Sequence, residues 1–193
     1  MLDLMAGVVV FLFAIASATA LWENLLLQVH SAETRRELEF GVSSSSDLLL
    51  LTVGNPSNWT SGNASAIKSL GIADFSNGTS LPETGVVNGT KAMMLVELLE
   101  SDYDDAKMIL GAGAFGFGFS ITNKSRELVN LSCAPSCWCG AQCWKTLNYS
   151  AMPASGVSDA SAMRRAAVLH YTDASGNERK QIVNVNVFWW TQQ

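Results

Sequence analysis

The chain has 193 residues, of which 48% are hydrophobic and only 15% are charged, and its formal net charge is −5. This length is enough for one domain with a sizeable core and an appended segment. The first Lys or Arg is Arg35, and no basic patch follows it. Nucleic acid is therefore not expected as a partner.

The N-terminal segment from Leu4 to Trp22 is apolar or small throughout, and Asp3 is the only charged residue before Glu23. A run of this length can span a bilayer as a helix. A cleaved secretory signal is one interpretation, because Ala18-Thr19-Ala20 resembles a cleavage site, but the positive n-region of such signals is absent. A permanent anchor is a second interpretation, and a segment that later leaves the membrane is a third.

Seven Asn-X-Ser/Thr sequons favour an exported chain, since such sequons mark the surface of secreted proteins. All lie after residue 57, at Asn58, Asn63, Asn77, Asn88, Asn123, Asn130 and Asn148. An anchor oriented by Arg35 and Arg36 would instead leave this region in the cytoplasm. We therefore expect that a positively charged leader preceded Met1 and was removed, and that several of these asparagines carry N-linked glycans.

The helical pattern continues past the length of a membrane span. Residues 23–40 contain no Gly or Pro and are rich in helix formers. Gly41 and the serines at 43–46 should weaken the helix, and Gly54-Asn55-Pro56 should end it. A helix of about 50 residues would be ~75 Å long. Its first half is apolar on every side, so lipid or protein must cover it.

The remainder predicts a small, mostly antiparallel sheet with short helices. Residues 60–90 are rich in Ser, Asn and Gly and are expected to form loops, whereas 91–99 and 102–110 are expected to be helical, with Ser101 as the cap of the second helix. Three acids at 102, 104 and 105 fit a helix N-terminus better than the spacing of an EF-hand. Strands are expected at 111–122, where Phe alternates with Gly, and at 127–132. Residues 163–172 and 178–190 should form a hairpin around Asp173 to Asn177.

Four cysteines lie close together in the pattern C-x3-C-x-C-x3-C, at Cys133, Cys137, Cys139 and Cys143. Zinc sites usually have two C-x2-4-C pairs separated by a longer loop. An even number of cysteines outside the cell favours two disulfides. The pairing is 133–137 with 139–143 or 133–139 with 137–143, and the spacing leaves both open.

The chain resembles archaeal type IV pilins and related class III signal peptide proteins. The resemblance is carried by Leu2-Asp3 before the apolar helix, by the helix exit from Leu51 to Trp59 and by Leu70-Gly71-Ile72-Ala73. The segment from Tyr103 to Leu110 before a strand, and a C-terminal hairpin ending in Trp, add to it. Position 5 is Met, where bacterial pilins carry an acidic residue.

The resemblance implies an α+β pilin-like fold: a helix over 1–54 that is a membrane segment before assembly and filament core afterwards, and an extracellular, glycosylated β-rich head over 55–193. It also implies a precursor in the cell membrane, a prepilin peptidase that removes the leader, and an assembly ATPase with a membrane platform. The expected product is an extracellular pilus for adhesion or surface attachment, built as a helical homopolymer. Its core would contain Leu4, Val8, Phe11, Leu12, Phe13, Ile15, Leu21 and Trp22.

Two other function classes compete with this interpretation. One is a membrane-anchored extracellular protein that binds a ligand as a monomer, and the other is a secreted enzyme. No motif for nucleophilic catalysis, phosphate binding or paired carboxylates is present, and His30 and His170 are expected to be satisfied or solvated. We therefore expect neither enzymatic activity nor a cofactor or metal.

Overall fold

The computed structural model of the chain describes residues 2–59, 64–75, 81–132, 144–150, 152, 157, 159–173 and 175–191. It confirms the predicted α+β class, with a long N-terminal helix followed by a mostly antiparallel sheet. By contacts within the chain, residues 1–37 and 38–193 form two compact units.

Helix α1, Leu2–Leu51, is continuous over 50 residues. The absence of Gly and Pro between Val8 and Phe40 accounts for its length. Gly41 and the serines that follow were expected to weaken it and do not interrupt it. Soon after its end, Gly54 adopts a φ of 83° and Pro56 has no backbone N–H, so the helix does not continue.

The C-terminal part of α1 supplies one side of the core of the second unit. Leu38, Val42, Leu49 and Leu50 are buried there. Gly41 is buried against the indole of Trp189: a Cβ at this position would lie 2.2 Å from Trp189 Cζ3. Gly41, which was expected to weaken the helix, is thus the small residue that allows α1 and β8 to approach closely.

The main sheet has six strands in the order β1-β2-β7-β8-β3-β6. Its pairs are antiparallel except for β2 and β7, which are parallel. The strands are β1 Ala73–Phe75, β2 Pro82–Asn88, β3 Gly116–Thr122, β6 Asn148–Ser150, β7 Ala160–Thr172 and β8 Glu178–Trp190. A separate two-stranded sheet pairs β4 Asn130–Ser132 with β5 Trp144–Thr146. Helices α2 Gly89–Ser101 and α3 Tyr103–Ile109 lie between β2 and β3 in the chain, and a 3-10 turn spans Ala64–Ala66.

The predicted C-terminal hairpin is confirmed, and its first strand begins earlier than expected, at Ala160. The register runs from Thr172 opposite Glu178 to Ala160 opposite Trp190. Asp173 closes the turn by accepting hydrogen bonds from the N–H groups of Ser175 and Asn177 on its carboxylate. Asp favours turns because its side chain accepts such bonds, and Gly because it adopts a positive φ, here 81° at Gly176.

Four local predictions need correction. Residues 60–90 were expected to be loops, but they contain β1 and β2, which pair with each other, and β2 also pairs with the distant strand β7. Ser101 is the last residue of α2 rather than the cap of α3, whose N-cap is Asp102. The strand expected at 127–132 begins only at Asn130, and the strand expected at 111–122 begins only at Gly116.

Candidate functional site

The largest unusual feature is the apolar surface of α1 between Val8 and Val29. Every large apolar side chain there is exposed, from 45% for Ile15 to 74% for Phe13. The predicted core residues Val8, Phe11, Leu12, Phe13, Ile15, Leu21 and Trp22 all belong to this surface. Leu4 lies in the same helix, and its side chain is outside the described residues.

Three polar side chains of this part of α1 are hydrogen-bonded to the helix itself. Ser17 donates to the carbonyl of Phe13, Thr19 to that of Ala16, and the Asn24 amide to that of Ala20, at 2.8–2.9 Å. An apolar environment penalises polar groups that have no partner. Because these side chains donate to carbonyls of the same helix, their donors keep hydrogen-bond partners when the helix enters an apolar environment.

A charged cluster crosses three strands of the sheet. Asp74 of β1 contacts His170 of β7 (Oδ2 to Nδ1, 2.5 Å) and accepts a hydrogen bond from the Asn88 amide of β2 (3.0 Å). Burial alone raises the pKa of Asp74, but hydrogen bonds from His170, Asn88 and the N–H of Phe75 outweigh it, so this pKa lies below its ordinary value of 3.8. His170 Nε2 also lies 3.7 Å from a carboxylate oxygen of the exposed Glu178.

Lys91 lies beside this cluster, on the first turn of α2. It is only 8% exposed, its ammonium donates to the Val53 carbonyl (2.5 Å), and it lies 5.2 Å from the ring centroid of Phe75. Burial lowers the pKa of Lys91 below its ordinary value of 10.5, and the Asp74 carboxylate offsets part of this effect. The last turn of α1 contains no basic residue, so Lys91 supplies a cation near the carbonyl end of that helix.

These charged residues link elements of the fold, and the described residues contain no group of His, Cys, Asp and Glu suited to hold a metal ion. His170, expected to be satisfied or solvated, is held by Asp74, and His30 is exposed on α1. Sequence analysis could not find this cluster, because its partners are 14 and 96 residues apart.

The described sequon asparagines differ in their surroundings. Asn58, Asn130 and Asn148 are exposed, whereas Asn88 and Asn123 are half-buried. The side-chain amide of Asn123 makes two hydrogen bonds with Glu127. Its oxygen accepts from the Glu127 N–H (3.0 Å), and its nitrogen donates to the Glu127 carboxylate (2.9 Å). The predicted sites Asn63 and Asn77, and all four cysteines (Cys133, Cys137, Cys139 and Cys143), lie outside the described residues.

Comparison of the chain with protein-family models, with curated proteins and with solved structures finds no match. The functional argument therefore depends on the chain's own residues, above all on the exposed apolar surface of α1.

Proposed function

We propose that the chain is the structural subunit of an extracellular filament of the archaeal type IV pilus kind, serving adhesion or surface attachment. The observation that carries this proposal is the exposure of the apolar side chains of α1 from Val8 to Val29. In the proposed filament these helices bundle at the axis, and neighbouring copies cover them.

The free energy gained by burying the exposed apolar side chains of α1 supports a permanent partner for this surface. Thirteen large apolar side chains between Val8 and Val29 are exposed. Covering each contributes about 1.5–3 kcal/mol, so the set contributes roughly 20–40 kcal/mol. The net stability of a domain is only about 5–15 kcal/mol. A helix that exposes this much apolar surface to water would be driven into association.

Further apolar exposure on α1 favours copies of the chain over lipid as the final partner. Phe40 is 77% exposed, and it follows the charged residues Arg35, Arg36 and Glu39. A bilayer that covers the apolar run would not cover a side chain beyond these charges. A neighbouring helix can cover both, and head-to-tail contacts between copies build an open filament when the rotation from one copy to the next does not close.

The other expectations belong to this same proposal. The precursor is inserted in the cell membrane, a prepilin peptidase removes its leader, and an assembly ATPase with its membrane platform extracts the subunit. The sequons and cysteines after residue 57 support an exported head with N-linked glycans and disulfides.

A membrane-anchored extracellular protein that binds a ligand as a monomer is the second candidate. The observation in its favour is that the helix over Gly7–Leu51 is long and apolar enough to cross a membrane. The two candidates differ in where the mature chain is found: in filaments that can be sheared from cells, or only in membranes.

The test is to image material sheared from cells that produce the wild-type chain, Phe11→Lys, Ile15→Lys or the conservative control Phe11→Leu. We expect uniform filaments from the wild type and from Phe11→Leu. Neither Lys variant should form filaments, because an unpaired charge is costly in an apolar bundle. The amount of each variant in the membrane fraction separates failed assembly from failed insertion.

Normal filaments from both Lys variants would refute the packing. Recovery of the wild-type chain only in membranes would instead favour the anchored monomer.

A further inference from the structure

The amide of Asn88 is part of the fold even though it stands in a sequon. Its Oδ1 accepts a hydrogen bond from the N–H of Lys91 and so caps α2 (3.1 Å), and its Nδ2 donates to Asp74 (3.0 Å). The next residue, Gly89, is buried against β7, where a Cβ would lie 2.7 Å from Tyr171 Cβ. An N-linked sugar would be attached to the nitrogen that faces Asp74, inside this packed junction.

Asn130 and Asn148 have the opposite environment. Each is the first residue of a strand and follows a buried residue, Val129 and Leu147 respectively. Both asparagines are exposed. Asn130 accepts a hydrogen bond from the Thr146 hydroxyl on its carbonyl oxygen, an atom that an N-linked sugar leaves in place.

These two asparagines are neighbours: Asn148 begins β6 of the main sheet, and Asn130 begins β4 of the two-stranded sheet. Strand β6 is the last in the order of the main sheet, so among the described residues only its β3 side is paired within that sheet. The N–H of Leu147 donates to the carbonyl of Val129 (2.8 Å), which brings the residues before Asn148 and Asn130 into direct contact. An edge strand presents backbone groups with which another chain can pair.

We propose that Asn130 and Asn148 carry N-linked glycans that shield the β6 edge from pairing with other chains, and that Asn88 is an unmodified structural amide. The assignment rests on the exported location given in the proposed function and is independent of filament formation. The glycans occupy the space that an added strand would need, so they prevent edge-to-edge association between closely spaced heads.

The first test is glycopeptide mass spectrometry of the chain isolated from its own cells. We expect glycan at Asn130 and Asn148 and none at Asn88. Modification of Asn88, or bare Asn130 and Asn148 beside other modified sequons, would overturn the assignment. A chain without glycan at any sequon would overturn both the assignment of the glycan sites and the proposal that the chain is an exported glycoprotein. Glycan at the expected sites in cells that form no filaments would overturn only the proposal of a filament.

Matched variants remove the sequons of Asn148 and Asn88 without changing either asparagine. Ser150→Ala removes the sequon of Asn148 and should lower the intact mass by one glycan. Thr90 is exposed and completes the sequon of Asn88, and Thr90→Ala should leave the glycan mass unchanged. Light scattering of the purified chains in detergent then tests the shielding, with more association expected for Ser150→Ala than for Thr90→Ala. Equal association would overturn the shielding role, and a glycan lost from Thr90→Ala would overturn the structural role of Asn88.

Discussion

The contact between Gly41 and Trp189 can be tested by adding one methyl group. In Gly41→Ala, the new Cβ would lie 2.2 Å from Cζ3, 2.5 Å from Cη2 and 2.6 Å from Cε3 of the indole. Carbon atoms need about 3.5 Å between their centres. The ring cannot easily move away, because Trp189 is buried and packs against Phe115 with ring centroids 5.6 Å apart.

The expected change in the free energy of unfolding of Gly41→Ala is the difference between two opposing effects. Overpacking a dense core costs about 1–3 kcal/mol, and a contact this short belongs at the upper end. Replacing Gly by Ala inside a helix gains about 1 kcal/mol. We therefore expect Gly41→Ala to lower the free energy of unfolding by about 2 kcal/mol, which corresponds to a decrease in Tm of roughly 4–8 °C for a domain of this size.

The assay is thermal unfolding of the full chain in detergent, followed by near-ultraviolet circular dichroism of the tryptophans. Gly7→Ala is the matched control, because no heavy atom outside its own stretch of helix lies within 4 Å of its Cβ position in the described chain. Its Tm should be unchanged or slightly higher. Ser46→Ala should raise the Tm, since the buried Ser46 hydroxyl has no hydrogen-bond partner among the described residues. A Gly41→Ala chain at least as stable as the wild type would refute the close packing of α1 on β8.

Three further predictions concern polar contacts. Asp74→Asn should be less stable than the wild type at neutral pH. Because the pKa of Asp74 is lowered in the folded state, the wild type should lose this advantage as the pH falls below about 4. Acid unfolding of the two chains would show the difference. Tyr103→Phe should cost about 1–3 kcal/mol in urea unfolding, because the hydroxyl donates to the carbonyl of Phe117 (3.1 Å) and accepts from its N–H (2.7 Å). Lys91→Met should leave the Val53 carbonyl without its donor. The folded wild type binds the proton of the Lys91 ammonium more weakly than the unfolded chain does, so its stability should rise as the pH increases from the lowered pKa of Lys91 to 10.5. The Lys91→Met variant should lack this rise, which urea unfolding over a pH series would show.

Local signals in the sequence were sufficient to predict α1, the C-terminal hairpin and the strand β3. The run without Gly or Pro predicted α1, and the turn from Asp173 to Asn177 predicted the β7–β8 hairpin. The alternation of Phe with Gly predicted a strand where β3 lies, although from residue 111 rather than Gly116, and Phe117 and Phe119 are buried in the core. Each of these signals depends on backbone preferences and burial within a few residues.

The elements that were missed depend on distant partners. Strand β2 pairs in parallel with β7, so Val86 and Val168 meet across more than eighty residues, and its Ser- and Gly-rich surroundings gave no local signal. Lys91 likewise donates to a carbonyl 38 residues earlier. A charged residue near a helix start predicts nothing about a buried ammonium until the chain has folded around it.

The glycines of α1 show how one type of residue serves different surroundings along a single helix. At Gly41 the missing side chain makes room for Trp189, a residue of the same chain, so its replacement should be visible in the stability of the isolated subunit. At Gly7 the space is open within the described chain, and the isolated subunit gains nothing from a glycine that costs helix stability. In the proposed filament, however, small residues allow neighbouring helices to approach closely. The stability of the subunit therefore measures one contact and filament formation measures the other, and the two readouts separate the fold of the chain from its assembly.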